Sequence, residues 1–167
     1  NGSADLYGDN TAFLIKSKKG GPYKSIKYKE FKEDIDALGT SLLDLNLAGK
    51  NIAVIGENCY EWMVAYLAVV NGVGVVVPLD KELPEDELIN LTKRAEVSAV
   101  FYTESYANVF KSADIPYKIN MSIHYNPDNE MSQNQLIEKG KSLIESGITT
   151  YNEIVIDPDE MKIILFT

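Results

Sequence analysis

Cysteine and histidine are almost absent from this chain: Cys59 and His124 are each the single residue of their type. One thiol cannot close an internal disulfide, and one thiol with one imidazole cannot assemble the His and Cys clusters that hold structural zinc. Long apolar runs are lacking too. The two richest, 62–70 and 73–79, are separated by Asn71 and Gly72, and each is too short to cross a bilayer. They read as a helix followed by a strand, so no integral membrane segment is expected. Positive charge is also scarce: 16 Lys and Arg against 25 Asp and Glu leave a net charge of −9, which repels nucleic-acid phosphates and anionic lipid headgroups. No nucleic-acid partner is expected, and the 10 tyrosines and Trp62 read as packing aromatics, not base-stacking platforms. The polar start, 1–10, has no secretory apolar core, so a reducing, cytoplasmic setting is expected.

What is present is alternation. Thr11 to Lys16 and 24–28 are strand candidates joined through the turn-rich 18–22, which predicts a hairpin. Phe31, Ile35, Leu38, Leu42 and Leu45 recur at spacings of four and three, the face of an amphipathic helix ended by Gly49. Asn51 to Ile55 is a short apolar strand, and Asn58 with Glu61 is the candidate cap of a helix running to about Asn71. Its inner stripe is expected at Met63, Tyr66, Leu67 and Val70, with Trp62, Val64, Ala65, Ala68 and Val69 on the other side covered by neighbours. A β-branched strand follows at 73–77 and ends at Pro78. Pro84 then opens a helix with Glu85, Asp86 and Glu87 at its positive end, Lys93 and Arg94 at its negative end, and Leu88, Leu91 and Ala95 facing inward. Val97 to Tyr102 is another buried strand, so strand, helix, strand, helix, strand alternates over about fifty residues. That is the pattern of right-handed β-α-β units and predicts an α/β fold: an open, mainly parallel sheet with flanking helices and an N-terminal β-hairpin. Beyond it come a short helix at 104–111, a strand at 117–121, an exposed loop at 124–135, a helix bearing Leu136, Gly140, Leu143 and Ile144, and an acidic turn at 157–160. The last segment, 161–167 (M-K-I-I-L-F-T), has the pattern of a buried strand with no turn or cap after it. Residues 1–167 are therefore expected to be one partial domain of a longer protein.

Ligands of such sheets bind beyond the carboxyl ends of the strands. The motifs found there are sparse. Gly56 alone precedes the helix after the first β-α-β strand, where a dinucleotide pyrophosphate needs a glycine triplet, and Gly72 with Gly74 lie between helix and strand, the wrong order for a phosphate cradle. Cys59 at a first helical turn could have its thiol activated by the helix dipole, but a packed structural thiol is the simpler reading. His124 reads as a solvated loop residue. Asp157, Asp159 and Glu160 lack the length and glycine of a calcium-binding loop. No catalytic or metal-binding residue is assigned.

In order along the chain, several segments resemble the adenylate-forming superfamily of acyl-CoA synthetases, luciferases and peptide-synthetase adenylation domains. Residues 28–31 (Y-K-E-F) look like its early Y-x-E-L element, 49–54 (G-K-N-I-A-V) like its G-D-x-V-A-I strand, and 58–62 (N-C-Y-E-W) like its N-S-x-E-W helix start. The most specific match is 72–80 (G-V-G-V-V-V-P-L-D), which resembles G-A-x-x-V-P-L-D/N. Residues 163–167 resemble the strand leading into the S-G-T-T-G-x-x-K phosphate loop. Departures are Lys27, where Thr or Ser usually caps, and Lys50, where Asp is common. The resemblance implies an AMP-forming ligase that joins a carboxylic acid, such as a long-chain fatty acid, to ATP with Mg²⁺ and passes the acyl group to CoA. It implies that Thr167 is the entry to the phosphate loop and that these residues alone are inactive and bind none of the three tightly. The competing readings are a non-catalytic stand-alone interaction domain and the adenylation domain of a peptide synthetase. An apolar edge at 161–167 is expected to drive self-association.

Overall fold

The computed structural model describes residues 2–16, 21–122 and 131–166. A short helix, α1 (Gly2–Tyr7), leads into β1 (Thr11–Lys16) and β2 (Tyr23–Lys27), which pair antiparallel as the expected hairpin. Tyr28, expected as strand, is instead the first residue of α2 (Tyr28–Asp44). Lys27 is its N-cap and offers no side-chain acceptor. The carboxylate of Glu30 takes over half of that task by accepting from the Lys27 amide at 2.7 Å.

Five strands form a wholly parallel sheet: β3 (Asn51–Ile55), β4 (Val75–Pro78), β5 (Val97–Tyr102), β6 (Tyr117–Asn120) and β7 (Met131–Ser132), in the order β4-β3-β5-β6-β7. Their valines, isoleucines and alanines are buried on both faces because both faces are covered. On one side α2, α3 (Tyr60–Ala68) and α6 (Gln133–Glu145) pack around Leu38, Leu42, Ile52, Val54 and Phe101. On the other, α4 (Glu85–Arg94) and α5 (Ala107–Lys111) pack Leu88, Leu91 and Phe110 against Ala53, Val77 and Val100. The chain leaves β3 sideways to β4 and then returns past β3 to β5, so the direction of winding reverses between β3 and β5.

Close backbone approach sets the α2–α6 contact. A Cβ at Gly140 would stand 1.8 Å from the Ala37 carbonyl oxygen, so only glycine allows these helices to meet here. The Ser41 hydroxyl donates to the Leu136 carbonyl at 2.5 Å, and Lys141 of α6 pairs with Asp34 of α2 at 3.1 Å. Tyr151, in the segment after α6, lays its ring over Gly39 and donates its hydroxyl to the Ala68 carbonyl at 3.0 Å, fastening that connection across both helices.

The structure corrects several sequence expectations. The N-cap of α3 is Cys59, not Asn58. Val64, Ala65, Ala68 and Val69 are covered as expected and are the buried side, while Met63, Tyr66, Leu67 and Val70, expected as the inner stripe, are half-exposed, as is Trp62. A helix apolar nearly all round gives periodicity no polar face to orient it, and the small residues are the ones that let it lie close to the sheet. Regular α-helix ends at Ala68 and widens into a π-turn, Val69–Val73, with Gly72 at φ +157° against Ile154. Within the expected loop, Met131 and Ser132 form β7 and Gln133 opens α6. Ser132 and Gln135 make a capping box, with the Gln135 amide donating to the Ser132 hydroxyl at 3.2 Å. His124 lies outside the described residues. The acidic turn holds: the Asp157 carboxylate accepts from the Asp159 amide at 2.9 Å. Residues 161–166 form no regular strand. Ile163 makes a single parallel bridge with Val76, through the Val76 amide to the Lys162 carbonyl at 2.9 Å and the Ile164 amide to the Val76 carbonyl at 3.0 Å. The expected burial is half-realised, since Ile164 and Phe166 pack against the α4 side while Met161, Ile163 and Leu165 face outward.

Candidate functional site at the strand ends

The carboxyl ends of β4, β3, β5 and β6 deliver four loops to one rim. The hydrogen bonds of this rim converge on the four residues after β5. Thr103 and Ser105 both donate their hydroxyls to the carboxylate of Glu57, in the loop after β3, the second at 2.8 Å. The Glu104 carboxylate accepts from the Asn120 amide side chain at the end of β6 at 2.9 Å, and the Glu104 backbone N–H donates to the Ser122 hydroxyl at 2.9 Å. Tyr106 donates to the carbonyl of Lys81, in the loop after β4, at 2.9 Å. Thr103 is buried and pressed against Gly56, where a Cβ would fall 2.5 Å from its side chain. The crevice between β3 and β5, where winding reverses, is thus filled by the chain's own residues.

Charge at this rim is negative. The two hydroxyl donors, Thr103 first and Ser105 second, hold the Glu57 carboxyl below its ordinary range, so it is a carboxylate at neutral pH. Burial and then Glu57, Asp80 and Glu82 push the Tyr106 phenol upward, keeping it a neutral donor. A triphosphate cradle needs backbone amides and cations aimed outward. Lys81 is the cation at this rim, and the hydroxyls of Thr103 and Ser105 and the Asn120 amide are already bonded to Glu57 and Glu104, so the described residues do not by themselves fit ATP. Among the described residues, no three His, Cys, Asp or Glu side chains stand together as a metal cluster.

Cys59 lines a cleft of about 600 Å³ between β1 and the start of α3, with Phe13, Ile15, Tyr60 and Trp62. Burial pushes its thiol up to about 11, the opposite of activation at a helix N-terminus. Thr167 lies outside the described residues. The segment before it runs parallel to β4 toward the rim, with the Phe166 ring 5.6 Å from the Arg94 guanidinium. Sequence reasoning located the rim, because β3 and β5 were read with these ends, but it missed Glu57, Thr103, Ser105 and Tyr106 as partners. No spacing links residues 46 positions apart.

Among the described residues, no helix is long and apolar enough to cross a membrane. In sequence, 93 residues are 28% identical to acyl-CoA synthetase ALT10 of Alternaria alternata, over 55% of this chain and 16% of that protein. Over 95 residues the chain is 32% identical to long-chain-fatty-acid–CoA ligase 5 of Rattus norvegicus, covering 55% of this chain and 14% of the ligase. The match thus spans about one-sixth of each relative's length. In structure, coronafacic acid ligase from Pectobacterium brasiliense superposes with a TM-score of 0.77 at 20% identity, over 99% of this chain and 32% of the ligase. Anthranilate CoA ligase AuaEII, solved with anthranoyl-AMP, gives 0.71 at 12% identity, over 81% and 26%. These two share the fold of the strands and helices described above. The family model for the AMP-binding enzymes matches residues 2–167, and the chain belongs to that family, with the adenylate-forming fold.

Proposed function

We propose that this chain is the structural forepart of an AMP-forming acid–thiol ligase, which activates a carboxylic acid with ATP and transfers the acyl group to CoA. The observation that carries the reading is the family match over residues 2–167, with relatives named acyl-CoA synthetase and long-chain-fatty-acid–CoA ligase. In the proposed reaction a carboxylate oxygen attacks the α-phosphorus of ATP and pyrophosphate leaves. The thiol sulfur then attacks the acyl carbon, the bond to AMP breaks, and a thioester forms with loss of the thiol proton. Adenylation is the physical necessity, because a free carboxylate is a poor electrophile with no leaving group.

Residues 1–167 supply the sheet and its rim, and the filled, acidic crevice supports the view that phosphate donors come from elsewhere in the longer protein. Thr167 is proposed as the entry to the phosphate loop, the 161–166 segment running toward the rim being the support for it. A fatty acid is the proposed substrate class on the strength of the rat relative's name. The test is pyrophosphate release by the longer protein given ATP, Mg²⁺, CoA and a panel of aliphatic and aromatic acids. Release with a long-chain acid and formation of its CoA thioester is expected; release only with amino acids and a carrier-protein acceptor would favour the peptide-synthetase reading. Residues 1–167 alone should show no turnover, and measurable turnover would overturn their assignment as a scaffold.

A further inference from the structure

Three loops at the strand-end rim are bonded to one tetrapeptide in the fourth, the loop after β5, and through it to one another. Thr103 and Ser105 hold the loop after β3, Glu104 holds the loop after β6 from both its side chain and its amide, and Tyr106 holds the loop after β4. Backbone bonds tie the hub to its own strand neighbours as well: the Thr103 amide donates to Ile55 at 3.3 Å, and the Met121 amide to Tyr102 at 2.8 Å. Residues 104–106 form a single 3₁₀ turn, closed by the Tyr106 amide on the Thr103 carbonyl at 2.9 Å. A turn this short cannot release one side chain while holding the geometry of the other three. Successive side chains of an extended segment would point to opposite faces; here the tight turn fans four of them out toward three different loops.

We infer that residues 103–106 are a latch that makes the loops after β3, β4 and β5, together with Met121 and Ser122 after β6, one cooperative unit, opening and closing together. The consequence is a rim whose loops share one opening free energy, below that of the sheet and above that of a free loop. Any group that displaces Glu57 from Thr103 and Ser105 then loosens the loop at Lys81, on which Glu57 acts only through charge, and the residues at Met121 and Ser122. Lys81 is the cation that acts on Glu57 across the rim, and among the described residues Asp80, Glu82 and Glu104 are the other charged groups on these loops. The inference stands apart from the ligase reading and does not depend on it.

Hydrogen exchange of the 167-residue chain, resolved by residue, tests it. Tyr106→Phe keeps the ring and removes only the bond to the Lys81 carbonyl. In a cooperative latch it speeds exchange by about fivefold at Leu79 and Glu82, and by a similar factor at Thr103, Met121, Ser122 and the loop 56–58, with Ala53 and Val100 in the sheet unchanged. Ser105→Ala, cut at the opposite arm and at an exposed side chain, should speed the same set. Acceleration confined to 79–83 in the first variant, or to 56–58 in the second, overturns the inference. Should one variant speed exchange throughout the sheet, the other decides by the same two outcomes.

Discussion

A carboxylate that accepts two hydroxyl hydrogen bonds resists protonation, and Glu57 is held below its ordinary 4.5 for that reason. Its folded value lies under its unfolded value, so the unfolded chain binds the proton more readily. The contribution to stability is present above about pH 4.5 and is lost as pH falls through the folded value. Because Glu57 is exposed, solvent screening limits this to the order of 0.5 kcal/mol. Urea midpoints of the wild type and Glu57→Gln should differ near pH 6 and draw together as the pH is lowered below 4.5; a difference that stays constant as the pH falls would remove the titration from the explanation. Cys59 makes a contrasting case. With its thiol pushed up to about 11, thiolate is scarce at neutrality, and alkylation by iodoacetamide at pH 7.5 should run more than tenfold slower than for a free peptide cysteine, accelerating as pH rises toward 11. Rapid labelling at pH 7.5 would show an activated thiol instead.

Elements differ in how openly the sequence declares them. The stripes of α2 and α4 were legible because charged residues occupy their outer faces, so Ile35, Leu38 and Leu42, and Leu88 and Leu91, are the buried residues expected. In α3 the same reasoning turned the helix the wrong way, because hydrophobicity alone cannot rank Val64 against Met63 when both are apolar. The 161–166 segment has a strand's composition but only one bridge, since pairing is decided by the neighbour and not by propensity. The rim was legible as a place and illegible as a network. Strand ends follow from hydrophobic runs, whereas Glu57 meeting Thr103 depends on how β3 and β5 are ordered in space. At the α2–α6 contact, Gly140→Ala would drive a methyl into the backbone oxygen of Ala37, which no rotamer change relieves. A loss of more than about 2 kcal/mol in urea unfolding is expected. Ser132→Ala removes one capping bond from α6 and should cost about 1 kcal/mol in the same measurement.

Over the whole molecule the sheet is well covered on its two faces and uneven at its margin. Met161 at 61% exposure, Leu165 at 68% and Val155 at 91% put apolar surface beside a segment bonded to the sheet through Val76 alone. Such an edge recruits other chains. Sedimentation of the 167-residue chain should show association rising with concentration, and Leu165→Lys with Met161→Lys should reduce it. A wild type that stays monomeric over a hundredfold range of concentration would show that this surface is not adhesive.

The strand order has a consequence for biosynthesis. β3 lies inside the sheet and emerges early, β4 joins one flank within two dozen residues, and β5, β6 and β7 extend the other flank in the order they leave the ribosome. The outer side of β4 is different, because the residues that bond to Val76 are numbered 162 and 164. For almost ninety residues of translation, the outward-facing amide and carbonyl of Val76 wait without these partners. A nascent chain of this sequence is therefore most vulnerable to misassociation in the interval between the emergence of β4 and that of residue 162, and a chaperone that shields one strand margin over that interval would serve it better than one that encloses the whole.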